Sequence, residues 1–169
     1  MQENIGNGRY FGNLGAQIAS FYKLPSLDGY DPLYSRRYGK FIRASKDGEY
    51  LPAERSVVRT PRTSINTDRV INLLGGSLIF HPKADTNQGW AYPVWRKDNL
   101  EKIYEDDHFE LYRNTRSLPR LTLFYDYDIV GDDKEILKHF YSKDFDFTKT
   151  LILEQKLDVS LVGGKGKVS

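Results

Sequence analysis

Residues 117–155, SLPRLTLFYDYDIVGDDKEILKHFYSKDFDFTKTLILEQ, constrain the fold more than any other stretch. Over 121–130, Leu121, Leu123, Tyr125, Tyr127 and Ile129 fall on one face at period two. Thr122, Asp126 and Asp128 fall on the other, the pattern of a half-buried strand with its aspartates toward solvent. Gly131 breaks that run. Asp132 stands three residues before Glu135, the spacing of a capping box, in which each side chain satisfies an orphan amide of the first helical turn. Ile136, Leu137, Phe140 and Tyr141 then recur at helical spacing, and 150–153 is a second short apolar run. Strand, helix and strand in that order predict a βαβ unit whose helix covers one face of a parallel pair.

The rest of the chain supplies a mixed pattern. Residues 1–17, rich in Gly and Asn, read as a loose lead-in, and 18–22 as a short strand. Asp31 and Pro32 suit the N-cap and first position of a helix over 32–44, with Leu33, Tyr34, Tyr38, Phe41 and Ile42 on one face and Arg36, Arg37 and Lys40 on the other. A second helix over 67–74 has Asn66 as N-cap. Ile65 and Val70 are placed as a hydrophobic staple across it, and Gly75 or Gly76 ends it. Residues 77–80 predict a strand, 81–99 a long loop, and 100–105 with 109–113 a hairpin turning at 106–108. The third helix is the one at 132–142. The expectation is an α+β fold: one domain over 18–156 with a mixed sheet of about five strands, followed by a flexible, cut-short tail over 157–169.

Composition removes several function classes. The 25 basic and 23 acidic residues leave a net charge of +2, without the clustered basic excess of a nucleic-acid binder. There is no cysteine, so disulfides, thiolate-held zinc and thiol catalysis are excluded. With 12 Tyr and 9 Phe, the chain has the aromatic content for a core despite a hydrophobic fraction of 39%. No apolar run approaches the ~18 residues that span a bilayer.

Catalytic chemistry finds little footing. His81, His108 and His139 are far apart and lack partners at metal-ligand spacing. They read as two loop residues and one helix-surface residue. Asp126 and Asp128 pair on a strand face but have no nucleophile beside them, and Asp132 and Asp133 read as helix caps. No catalytic residue, metal or cofactor is therefore expected.

Two groups suit binding. Arg55, Arg59, Arg62 and Arg69 surround a loop and a helix N-terminus, where backbone amides favour anions. The leading alternative is that they are solvating loop charge. Trp90, Tyr92 and Trp95 could stack on sugar rings or lie at a membrane interface, or they could pin their loop to the core.

Several stretches taken together resemble a known family. GYDPLYSRRYGKF at 29–41, followed in order by INLLGGSLIF, LEKIYEDDHFELYRN, SLPRLTLFYDYDIVGDD and DFDFTKTLILEQ, is similar to the YfhO-type bacterial multi-spanning membrane proteins. The resemblance covers most of 18–155. Gly75-Gly76 departs from it, standing where the family has a longer link between helix and strand. That family resembles membrane glycosyltransferases that draw sugars from lipid-phosphate donors, with catalytic carboxylates in loops of the membrane part. The resemblance implies a non-catalytic extracytoplasmic domain, excised from a longer protein with Met1 an added start. Its expected partners are its own transmembrane domain and a cell-envelope glycan or polyprenyl-phosphate sugar. The alternative expectation is a structural module that docks on its membrane domain or a partner protein through an exposed apolar patch and has no pocket.

Overall fold

The computed structural model describes residues 2–12, 14, 16–30, 33–53, 57–85 and 92–158. In chain order its elements are α1 (Gln2–Ile5), β1 (Arg9–Phe11), α2 (Ala16–Phe21), β2 (Gly29–Tyr30), α3 (Arg36–Ala44), β3 (Val57–Val58), α4 (Thr67–Leu73) and β4 (Gly76–Pro82). They continue with β5 (Leu100–Glu105), β6 (Phe109–Asn114), β7 (Asp126–Ile129), α5 (Asp133–Phe140) and β8 (Thr150–Leu153). The fold is α+β. A four-stranded mixed sheet runs β1-β4-β6-β5, with β1 parallel to β4 and the other pairs antiparallel. The predicted hairpin is β5–β6, its turn closed by Asp106, whose carboxylate accepts from the amides of His108 and Phe109.

The N-terminal lead-in expected to be loose instead contributes β1. Tyr10 and Phe11 are buried, and β1 is flanked on its other side by 25–27 through paired backbone bonds with Tyr10. Its three residues are too few for a period to show. The strand expected over 18–22 is instead the helix α2, which sends Ala19 inward and leaves Ile18 and Phe21 exposed. His81, read as a loop residue, is a buried position of β4, because that strand runs two residues past its expected end.

Helix α3 begins at Arg36 behind Ser35, four residues later than expected; Asp31 and Pro32 lie outside the described residues. Asn66 does stand at the N-cap of α4, but its side chain makes no capping bond, and the staple is absent because Ile65 is exposed while Val70 is fully buried. Ser64 and Thr67 close this end instead: the Thr67 hydroxyl donates to the carbonyl of Pro61 and the Ser64 hydroxyl to that of Ser45. The helix ends at Gly75, whose φ of +70° is the left-handed conformation that favours glycine. The next residue is constrained by space. A Cβ on Gly76 would lie 2.5 Å from Cγ2 of Ile71, so glycine lets α4 lie close on β4.

The βαβ unit forms as expected, as a two-stranded sheet of its own and not as part of the four-stranded one. Asp126, Tyr127, Asp128 and Ile129 of β7 pair in parallel register with Thr150, Leu151, Ile152 and Leu153 of β8. Asp132 caps α5, accepting from the amides of Lys134 and Glu135. The faces are reversed, however. Asp128 accepts a hydrogen bond from Nε2 of His139 at 2.7 Å, which puts α5 over the aspartate face. Ile129 and Leu151, on the face expected to be buried, are 53% and 39% exposed. Period two settles which residues share a face; which face is covered depends on where the helix lands. Only four residues pair, so Leu121 and Leu123 lie outside the ladder and stay exposed.

This unit is held to the rest through α3 and α4. Phe140 packs edge-on to Phe41 at 5.2 Å between ring centroids, Tyr141 stacks on Phe41, and the Tyr141 hydroxyl donates to the Phe41 carbonyl. A buried asparagine chain ties α4 to the hairpin. Asn99 donates to the Asn114 side-chain oxygen, and Asn114 donates both to Asn72 and to the Gly76 carbonyl, at 2.7–2.9 Å.

Candidate functional site

The side chains singled out from sequence disperse into three settings. Arg62 lays its guanidinium 4.2 Å from the centre of the Phe11 ring and pairs with Asp28 at 2.6 Å. Asp28 in turn accepts from the amide of Thr60. Tyr92 reaches the same Phe11 ring edge-on at 5.4 Å and donates its hydroxyl to Asp68, which Lys97 also bridges. Burial first, then the Asp68 charge, pushes the Tyr92 phenol far up, so it stays protonated and is a fixed donor. Arg62 and Tyr92 are thus brought together, but as packing around one core aromatic.

Arg69 points the other way. Its Nη1 donates to the carbonyls of Phe140 and Ser142, and its Nη2 to that of Phe145, so it closes the C-terminal end of α5. Burial lowers its pKa, as expected for a guanidinium set among carbonyls and the rings of Phe140 and Phe147. Trp95 is half exposed, its ring 6.0 Å from that of His81. Arg59 is exposed. Arg55 and Trp90 lie outside the described residues.

A concavity lies elsewhere. A cavity of about 390 Å³ opens between α5, β8 and the segment 118–124 that leads into β7. Phe41, Leu73, Ile136, Leu137, Phe140 and Ile152 form its apolar walls, and Phe145 and Phe147 close one side. Phe124, near the start of the run 121–130 expected to be strand, also lines it. Its volume falls within the 300–1,000 Å³ common for small-molecule sites, whose walls are mostly apolar with a few placed polar groups. Arg120 is the one charged side chain on its lining.

A second hollow, of about 240 Å³, shares the wall of Phe41, Ile136, Leu137 and Ile152 but is edged with charge. There Arg37 bridges Asp133 and Glu154, while Lys40 meets the Tyr50 hydroxyl and Asp133. The Arg37 and Lys40 contacts hold the Asp133 carboxyl below its usual range, and the Tyr50 hydroxyl with Asp133 raises the Lys40 ammonium. These cations are matched by carboxylates. The basic side of α3 therefore serves as its seam with α5 and the residue after β8.

Among the described residues no three His, Asp or Glu side chains gather as metal ligands, and no helix is long and apolar enough to cross a membrane. His139 and Asp128 form a hydrogen-bonded pair with Phe145 beside the imidazole. A pair eleven residues apart, on opposite layers of a βαβ unit, carries no spacing by which sequence could announce it. Arg120 and Phe124 were equally hidden. Phe124 lies within the run expected to be strand, whereas the chain there has not yet entered the ladder.

No protein-family model, curated protein or solved structure matches this chain.

Proposed function

We propose that the chain is a non-catalytic, extracytoplasmic domain of a membrane glycosyltransferase-like protein of the YfhO type, and that it serves that protein by binding a lipid-phosphate sugar donor or a glycan acceptor. The observation that carries the binding role is the apolar cavity beside α5, whose lining among the described residues has one guanidinium, two threonines and no carboxylate or imidazole. Such a lining suits holding an apolar group in place. The membrane setting rests on the ordered sequence resemblance over 18–155.

Titration of the chain with a polyprenyl phosphate and with a cell-wall glycan fragment, followed by calorimetry, tests the role. Saturable binding of either supports it, and absence of heat with both leaves only a scaffold. A second reading, a docking module, is favoured by the open β7–β8 face, where Ile129 and Leu151 stand in solvent. That reading expects an apolar patch without a pocket, and the cavity weighs against it. Substituting Ile129→Ser would abolish association with a membrane-domain partner if docking were the role, and leave ligand titration unchanged if binding is.

A further inference from the structure

We infer that the cavity between α5, β8 and 118–124 takes the tail of a single-chain amphiphile, and that Arg120 pairs with its anionic head. The inference rests on the binding role above and narrows it to one site and one ligand class.

The walls decide the tail. Leu137 and Phe140 are buried, Ile136 and Ile152 are half-buried, and all four face the cavity. At roughly 30 Å³ per methylene-sized group, the volume a water occupies in the liquid, about 390 Å³ admits about a dozen such groups. One alkyl or prenyl chain fits that space. The polar atoms on the lining are few. Thr122 has its hydroxyl turned to the Pro119 carbonyl at 3.2 Å.

Arg120 decides the head. It is exposed and makes no ion pair or hydrogen bond with a described residue, unlike Arg37, Arg62 and Arg69, which are each held by carboxylates or carbonyls. A tail seated against it would strip water from the guanidinium, which is costly unless the ligand returns a negative charge. A neutral head leaves that cost unmet and a cationic head is repelled. Phosphate and carboxylate both match the guanidinium fork and can accept two parallel N–H bonds.

The test is calorimetric titration of the full chain with dodecyl phosphate, dodecanoate, dodecanol and dodecyltrimethylammonium, each kept below its micelle concentration. The expected order places both anions tightest, with the cation weakest. Arg120→Gln should weaken the anions about tenfold, the worth of one charge-assisted contact, and leave dodecanol unchanged. Thr122→Phe, at an exposed position on the rim, should block every tail without unfolding the chain, as thermal melting would verify. Equal affinity for all four heads, or an unaltered anion affinity in Arg120→Gln, overturns the assignment of Arg120. If Thr122→Phe still binds polyprenyl phosphate as the native chain does, the cavity is the wrong site while the binding role stands. If neither the alkyl probes nor polyprenyl phosphate and glycan bind the native chain, both fall.

Discussion

A guanidinium near a helix N-terminus is an anion site only when no other acceptor claims it. Arg69 lies in the first turn of α4 and satisfies that sequence rule, yet its donors go to three carbonyls around the end of α5. Its distance from those acceptors in sequence, more than 70 residues, is why the rule misled. Replacing Arg69 with Met should cost about 3 kcal/mol, the scale of several hydrogen bonds from a charged donor, whereas Arg59→Met at an exposed position should change stability by about 0.5 kcal/mol or less. Urea unfolding of the two variants checks the contrast. Asn114 makes a similar case with neutral groups. Its amide joins Asn99, Asn72 and the Gly76 carbonyl in a buried chain, so Asn114→Leu strands acceptors and a donor on three segments and should destabilise by about 3 kcal/mol in the same assay. Nothing in the local sequence marks Asn114 as more than the last residue of a strand.

At the scale of elements, legibility followed the length of the repeat. The hairpin and α5 were plain because each carries its own signal: a turn closed by Asp106, and a cap at Asp132. β1 and α2 were not, since three and six residues hold too little periodicity to tell a strand from a loop or a helix from a strand. The loop between α5 and β8 offers a pH-dependent prediction. Asp146 accepts from Lys149 and from the amide and hydroxyl of Thr148, and those bonds, Lys149 first, hold its carboxyl down at about 2 against an ordinary 3.8. A depressed folded pKa stabilises the loop above the unfolded value and ceases to do so as pH falls through the folded one. Loosening should therefore appear between about pH 3.8 and 2, as faster amide exchange at Thr148 and Lys149. Phe145 and Phe147 flank Asp146 and line the cavity, so tail binding should weaken over the same window.

For the whole molecule, the α+β class and the order of elements from α4 to β8 could be read in advance, while the arrangement of layers could not. Amphipathic strands show which residues share a face, but the choice of covered face belonged to α5, anchored by Phe140 and Tyr141 against Phe41 and by the Arg69 cap. That choice leaves Ile129 outward and creates the cavity on the inner side of the βαβ unit. The unit first legible in the sequence is also where the binding account places the ligand, through side chains whose convergence no spacing reveals. Methyl-resolved NMR of the full chain titrated with a short prenyl phosphate tests that placement most directly. The account predicts saturable shifts at methyls that line the cavity, those of Leu73, Leu118, Thr122, Ile136, Leu137, Thr150 and Ile152. Shifts only at Ile129, Leu123 and Leu153, or none at any ligand concentration, would contradict it.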